Sequence, residues 1–227
     1  YYSKSARVRS TQVGEPKIFL GTDGRRYVYG YGRVACKPAL WAHLRGRARV
    51  LYTRNGYKNF FAPFNSSAGG CDPLRNATLL HFHQPPEPGV PIAKNFLLFA
   101  SSRERKPSNP TKKSALLAIV LIEPHRVYRV DPASGQMTLH ATTHARLGFL
   151  DPVGLSAGPI ALPGGERLLV AGHVRRGGFN RAMRLTFFYT CAAAPPHAIR
   201  EVTPLINFGW SSVLEYCTHA ELHNTTL

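Results

Sequence analysis

Ser114-Ala115-Leu116-Leu117-Ala118-Ile119-Val120-Leu121-Ile122, then Arg126-Val127-Tyr128-Arg129-Val130-Asp131, the turn Pro132-Ala133-Ser134-Gly135-Gln136 and Met137-Thr138-Leu139-His140-Ala141, have the pattern of successive strands joined by turns. The run from Ala115 to Ile122 is apolar throughout. It is far too short for a membrane span, which takes about 20 residues, and has the length of a buried strand. Arg126 to Val130 brings β-branched and aromatic residues, which suit a pleated surface. Asp, Pro, Ser and Gly in succession then supply the turn chemistry that feeds a further strand at Met137 to Ala141.

Working outward, units of the same kind recur. Small or polar openings followed by apolar residues stand at Lys37-Pro38-Ala39-Leu40-Trp41, Lys94-Asn95-Phe96-Leu97-Leu98-Phe99, Ala157-Gly158-Pro159-Ile160-Ala161-Leu162 and Glu215-Tyr216-Cys217-Thr218-His219-Ala220-Glu221-Leu222. Returning strands are expected at Ala48 to Thr53, Ser114 to Ile122 and Arg167 to Val174, and third strands at Arg126 to Asp131 and Arg184 to Thr190. Four antiparallel strands per unit make a blade, so the expected fold is all-β: a partial β-propeller of four-stranded antiparallel blades, with about four units in view. An irregular β-sandwich is the other reading. Openings of small and polar residues favour the propeller, because they fit strands that line a central channel.

On this reading residues 1–227 form a single domain. The chain begins at Tyr1 without a methionine, and Leu227 falls inside a unit, so a longer protein cut at both ends is expected. Hydrophobic residues at 44% suffice for a core, and 20 glycines with 18 prolines suit many short strands rather than long helices. No membrane span is expected in this segment.

Lys and Arg outnumber Asp and Glu 29 to 12, a formal charge of +17, which attracts polyanions. The arginines are scattered through every segment, with no RNP motif, zinc finger or basic helix, so specific nucleic-acid binding is not expected. Cys36, Cys71, Cys191 and Cys217 form no Cys-x-x-Cys pair. That disfavours zinc and leaves disulfide pairing open. Sequons at Asn65, Asn76 and Asn224 suit surface loops of a protein in the secretory pathway, in the endoplasmic reticulum or Golgi lumen or outside the cell.

Three stretches carry a resemblance. Lys94-Asn95-Phe96 with Ile122-Glu123-Pro124-His125-Arg126-Val127-Tyr128-Arg129-Val130-Asp131, then Gly154-Leu155-Ser156-Ala157-Gly158-Pro159 with Val170-Ala171-Gly172-His173-Val174, and finally Leu214-Glu215-Tyr216, resemble the carbohydrate-active five-bladed β-propellers. These include glycoside hydrolases, phosphorylases and glycosyltransferase-associated members. The resemblance spans roughly residues 90 to 225 and implies five blades in the full protein, acting on or transferring glycosyl groups from a carbohydrate or nucleotide-sugar substrate. It departs where the family opens a blade with Glu-Asp-Pro-Arg. Here Cys36-Lys37-Pro38-Ala39 stands at the expected spacing, while Gly14-Glu15-Pro16-Lys17 keeps one carboxylate but lies only 22 residues upstream of Lys37. A non-catalytic glycan-binding or accessory module is therefore the alternative, and a polyanion-binding interaction domain a further one.

Glycoside cleavage draws on two carboxyl groups across the sugar, about 5 to 10 Å apart. The candidates, in order, are Glu215, which opens an innermost strand, Glu15, and Glu123 before Pro124 at a strand end. Glu215 could equally be a buried acid paired with an arginine, and Glu123 a carboxylate that only accepts backbone hydrogen bonds. Lys94 and Asn95 would offer donors to sugar hydroxyls or phosphate, His173 and Arg175 share a strand face, and Trp41 could stack on a pyranose ring. His81 and His83 have no nearby acids, so no metal is expected, and no cofactor is implied.

Overall fold

In the computed structural model, the described residues are 13–33, 57–63, 77–84, 96–101, 114–176 and 183–207. They form thirteen strands and no helix: β1 (Val13–Leu20), β2 (Arg26–Arg33), β3 (Tyr57–Pro63), β4 (Thr78–Leu79), β5 (His81–Phe82), β6 (Leu97–Ala100), β7 (Leu116–Leu121), β8 (His125–Val130), β9 (Gln136–Thr143), β10 (Val153–Ala161), β11 (Arg167–Arg176), β12 (Met183–Ala192) and β13 (Ile199–Val202). Two four-stranded sheets have the orders β1-β2-β3-β4 and β10-β11-β12-β13; between them in sequence lies a five-stranded sheet, β5-β9-β8-β7-β6. Within each sheet neighbours pair antiparallel, except that β5 runs parallel to β9, matching His81 to Gln136 and Phe82 to Met137.

The apolar run Leu116 to Ile122 owes its composition to its place in the middle sheet. A strand covered on both faces has no polar face to show. Leu117, Ile119 and Ile122 join Leu97, Phe99 and Val127 in one core against Leu155, Val170, Val174, Phe187 and Tyr189 of the third sheet. Leu116, Ala118 and Val120 join Phe96, Leu98, Tyr128 and Met137 in a second core against Tyr29 and Phe61 of the first sheet. The strict alternation breaks at Leu121, where a register shift between Ile119 and Leu121 turns the strand before Glu123.

Neighbouring sheets also approach through one edge strand each, since β6 lies against both β1 and β10. Tyr29 fastens the first sheet to the second. Its hydroxyl donates to Asn59 Oδ1 at 2.8 Å and accepts the Phe96 amide at 2.6 Å. Gly135, at φ 74, permits another close approach: a Cβ there would stand 2.0 Å from the Leu79 carbonyl oxygen. His81 N–H reaches the Gly135 carbonyl at 3.0 Å, seating β5 on the middle sheet.

The repeat needs one revision. The first sheet opens at Val13, on the segment containing Glu15, so counting units from Lys37 does not describe it. Lys37 to Trp41, Ala48 to Thr53 and the segment from Glu215 lie outside the described residues. The unit expected from Ala157 begins earlier, at Val153, because Val153 and Gly154 already pair with Val174 and His173. Cys191 is a buried free thiol, so it takes no part in a disulfide. No helix among the described residues is long and apolar enough to cross a membrane.

Candidate functional site

Two hairpin turns with the same side-chain chemistry border one hollow. In the β1–β2 turn, Asp23 accepts the Arg25 amide at 3.0 Å on Oδ1 and the Tyr27 hydroxyl at 2.8 Å on Oδ2. These bonds, the Arg25 amide first, hold the Asp23 carboxyl below its ordinary value. Burial, and then Asp23, push the Tyr27 phenol up. In the β8–β9 turn, Asp131 accepts the Ala133 amide at 3.0 Å and the Ser134 hydroxyl at 2.6 Å. The Ser134 hydroxyl, followed by the Ala133 amide, likewise holds its carboxyl low.

Thr22, Asp23, Ser114, Arg129, Asp131, Gln136 and Thr138 surround this hollow, which has a volume of about 920 Å³. A second hollow of about 590 Å³ lies among the edge strands, bordered by Lys17, Phe19 and Leu20 of β1, Leu98 and Phe99 of β6, and Pro159 and Ile160 of β10. Thr22 and Ser114 border both, so a polar shelf adjoins an apolar pit. The pit owes its third wall to Gly158. Register shifts on either side of Ala157 curl β10, and Gly158 sits at φ 94 with room for no Cβ, since one would stand 2.8 Å from the Leu169 carbonyl oxygen. Lys17 is largely buried beside the pit, its ammonium 5.9 Å from the centre of the Tyr29 ring.

Chemically, the shelf offers two carboxylates as acceptors with Arg129 and Gln136 as donors, while Phe19 and Phe99 give the pit an apolar surface. Both carboxyls are held ionised, so neither can serve as the raised-pKa proton donor that glycoside cleavage takes. Among the described residues, no group of three or more His, Cys, Asp or Glu could hold a metal ion.

Of the residues singled out from sequence, Glu123 sits in the β7–β8 turn, where Oε1 accepts the Leu147 amide and ties down the connection from β9 to β10. His173 is buried within the third sheet, its Nδ1 2.8 Å from Ser156 Oγ, with Gly154 leaving room for the ring: a Cβ at that glycine would come 2.7 Å from it. Neither borders the two hollows. Glu15 and Arg175 belong to β1 and β11, but their side chains lie outside the described residues, as do Glu215, Lys94, Asn95, Trp41, Asn65, Asn76 and Asn224 altogether. Asp23 and Asp131 are not marked as site residues by sequence because Asp in an Asp-Gly or Asp-Pro-x-Ser-Gly turn is explained by the turn alone. The signal that unites them is tertiary. No protein-family model matches the chain, and no curated protein sequence matches it.

Proposed function

We propose that the chain is a β-propeller domain that binds glycans where the polar shelf meets the apolar pit. Three sheets whose edge strands β1, β6 and β10 are neighbours support the propeller. The observation that carries the ligand class is the junction of a donor-and-acceptor surface with an aromatic-bearing apolar one at Thr22 and Ser114. A sugar ring has the same duality, with hydroxyls at its edge and apolar C–H groups on its face.

The carboxyls of Asp23 and Asp131, already engaged by their own turns and held low, support binding over cleavage at this place. Hydrolysis or glycosyl transfer is the second reading, resting on the resemblance and assigned to Glu215 and Glu15. The sequons support a site of action in the secretory pathway or outside the cell.

A glycan array probed at two salt concentrations separates these readings. Glycan binding predicts selective signals that survive high salt, that drop about tenfold in Asp131→Asn or Gln136→Ala, and that persist in Glu215→Gln. Turnover abolished by Glu215→Gln would establish the catalytic reading instead. Binding that ignores sugar identity and collapses with salt would overturn both in favour of a polyanion-binding domain driven by the +17 charge.

A further inference from the structure

Behind Phe99, which also borders the second hollow, the seam between the second and third sheets encloses imidazoles that the proposed function does not use. His125 opens β8 and His197 stands in the connection from β12 to β13, each 1% exposed, while His140 of β9 is at the rim. The His197 ring lies 5.6 Å from that of His140 and 6.2 Å from that of Phe99; His125 meets Tyr189 edge-on at 5.8 Å. The sheets are therefore joined through these rings as well as through aliphatic packing.

The hydrogen bonding leaves each buried ring an idle nitrogen. His197 Nδ1 stands 3.1 Å from the Ala192 carbonyl, which can only accept, so Nδ1 carries the proton and Nε2 is bare. Nε2 is buried without a hydrogen-bond partner, and so is His125 Nδ1. The other nitrogen of His125 has only a long 3.5 Å contact with the Tyr189 hydroxyl. His197 is in addition held at φ 58, a left-handed conformation that few residues besides glycine adopt, by its own amide on the Ala194 carbonyl at 2.9 Å.

Among the described residues, the groups around the rings give an added proton no counter-charge. β12 presents the Tyr189 hydroxyl and the Cys191 thiol, neutral because burial pushes the first well up and the second to about 12. β9 contributes His140 and Thr143, and β8 contributes the cations Arg126 and Arg129. Burial, with the His197 imidazole adding to it and the His197 backbone opposing, lowers His125 to about 4; burial lowers His197 too, against the opposing bond to the Ala192 carbonyl.

We infer that this seam is an acid-sensitive latch, in which His125 and His197 are neutral while the sheets are closed and take up protons when they part. The lowered groups add to closure fully above the ordinary histidine value of 6.5, and that contribution is lost as pH falls from there toward about 4. For His125 alone, the opening equilibrium rises about twentyfold between about pH 7 and about pH 5, a window above most carboxylate titration.

Hydrogen exchange on the intact protein, corrected for the intrinsic pH dependence, tests this. β12 amides should open at least about twentyfold more readily at about pH 5 than at about pH 7, with β2 amides as the internal reference. In His125→Phe/His197→Asn, in which Asn tolerates the left-handed backbone, this difference should shrink to within about twofold. An undiminished pH dependence in that variant, or none in the wild type, overturns the latch. Should the double variant not fold, imidazole NMR titration of the wild type decides. Midpoints for both buried rings well below 6.5 support the latch, and a midpoint at or above 6.5 for either overturns it.

Discussion

Tyr29→Phe removes one oxygen atom and should weaken the whole molecule. The Tyr29 side chain is 1% exposed, and its hydroxyl serves two groups, taking the Phe96 amide at 2.6 Å and giving its proton to Asn59 Oδ1 at 2.8 Å. The phenylalanine ring fills the same volume, so no cavity forms and Lys17 keeps its aromatic neighbour. What is lost is partnership. The Phe96 amide, in a residue 0% exposed, is left without an acceptor, a desolvation cost of about 1–3 kcal/mol, and the bond to Asn59 accounts for about 1 more. The expected loss is about 3 kcal/mol out of a total of order 5–15. With an m-value of about 3 kcal/mol/M, the urea midpoint should fall by about 1 M with m unchanged. Tyr27→Phe is the control, because its hydroxyl meets Asp23 at the surface and should cost under about 0.5 kcal/mol. If Tyr29→Phe shifts the midpoint by less than about 0.3 M, the two-sided bridge between the first and second sheets is not what stabilises their contact.

Gly135→Ala adds a left-handed backbone penalty to a Cβ 2.0 Å from the Leu79 carbonyl oxygen, so thermal unfolding should register a loss of about 2–4 kcal/mol. Gly172→Ala drives a Cβ to 2.4 Å from Phe187 Cζ; the ring can yield in part, and about 1–3 kcal/mol is expected by the same measurement. Because hydrogen bonds depress the Asp131 carboxyl, its contribution is present above its unfolded value near 3.8 and is lost as pH falls below it, so Asp131→Ala should flatten the acid limb of stability against pH without changing its slope above about pH 6. Native Cys191, buried with its thiol pushed up to about 12, should resist alkylation at about pH 8 at a rate set by unfolding; rapid labelling of the folded protein would contradict its placement.

The sequence made the second and third sheets legible and the first sheet much less so. Leu116 to Leu121 and Arg167 to Val174 are dense in Val, Leu and Ile, and the turns between strands carry Pro, Gly and Asp, so period and punctuation agree there. The first sheet instead uses Tyr27, Tyr29 and Tyr31 between glycines, and β3 follows β2 only after a long connection, so no compact meander marks it. β13, Ile-Arg-Glu-Val, escapes because an outer strand with little to bury has little apolar signal. The candidate site was hidden for a different reason. Asp23 and Asp131 are 108 residues apart, and nothing local says that two self-sufficient turns border one hollow. His173 was legible as a distinctive Gly-His-Val segment, but its neighbour Ser156 and its burial depend on the pairing of β10 with β11.

The two residues of β5 have an importance out of proportion to their length. Having left β4 at Leu79, the chain crosses at once to the far edge of the next sheet and lies parallel along β9. The middle sheet is thus assembled from two pieces of chain, residues 81–82 and 97–143, with β5 paired to a strand more than fifty residues further on, and the outer rim of β9 does not present its full row of open amides and carbonyls to another molecule. Only at Leu80, between β4 and β5, can a single cut release the first sheet while leaving the second with all its strands. Excision at any point between residues 84 and 96 strands β5 on the wrong fragment, and the remaining sheet should then recruit a substitute strand from a neighbouring copy, the usual beginning of domain exchange.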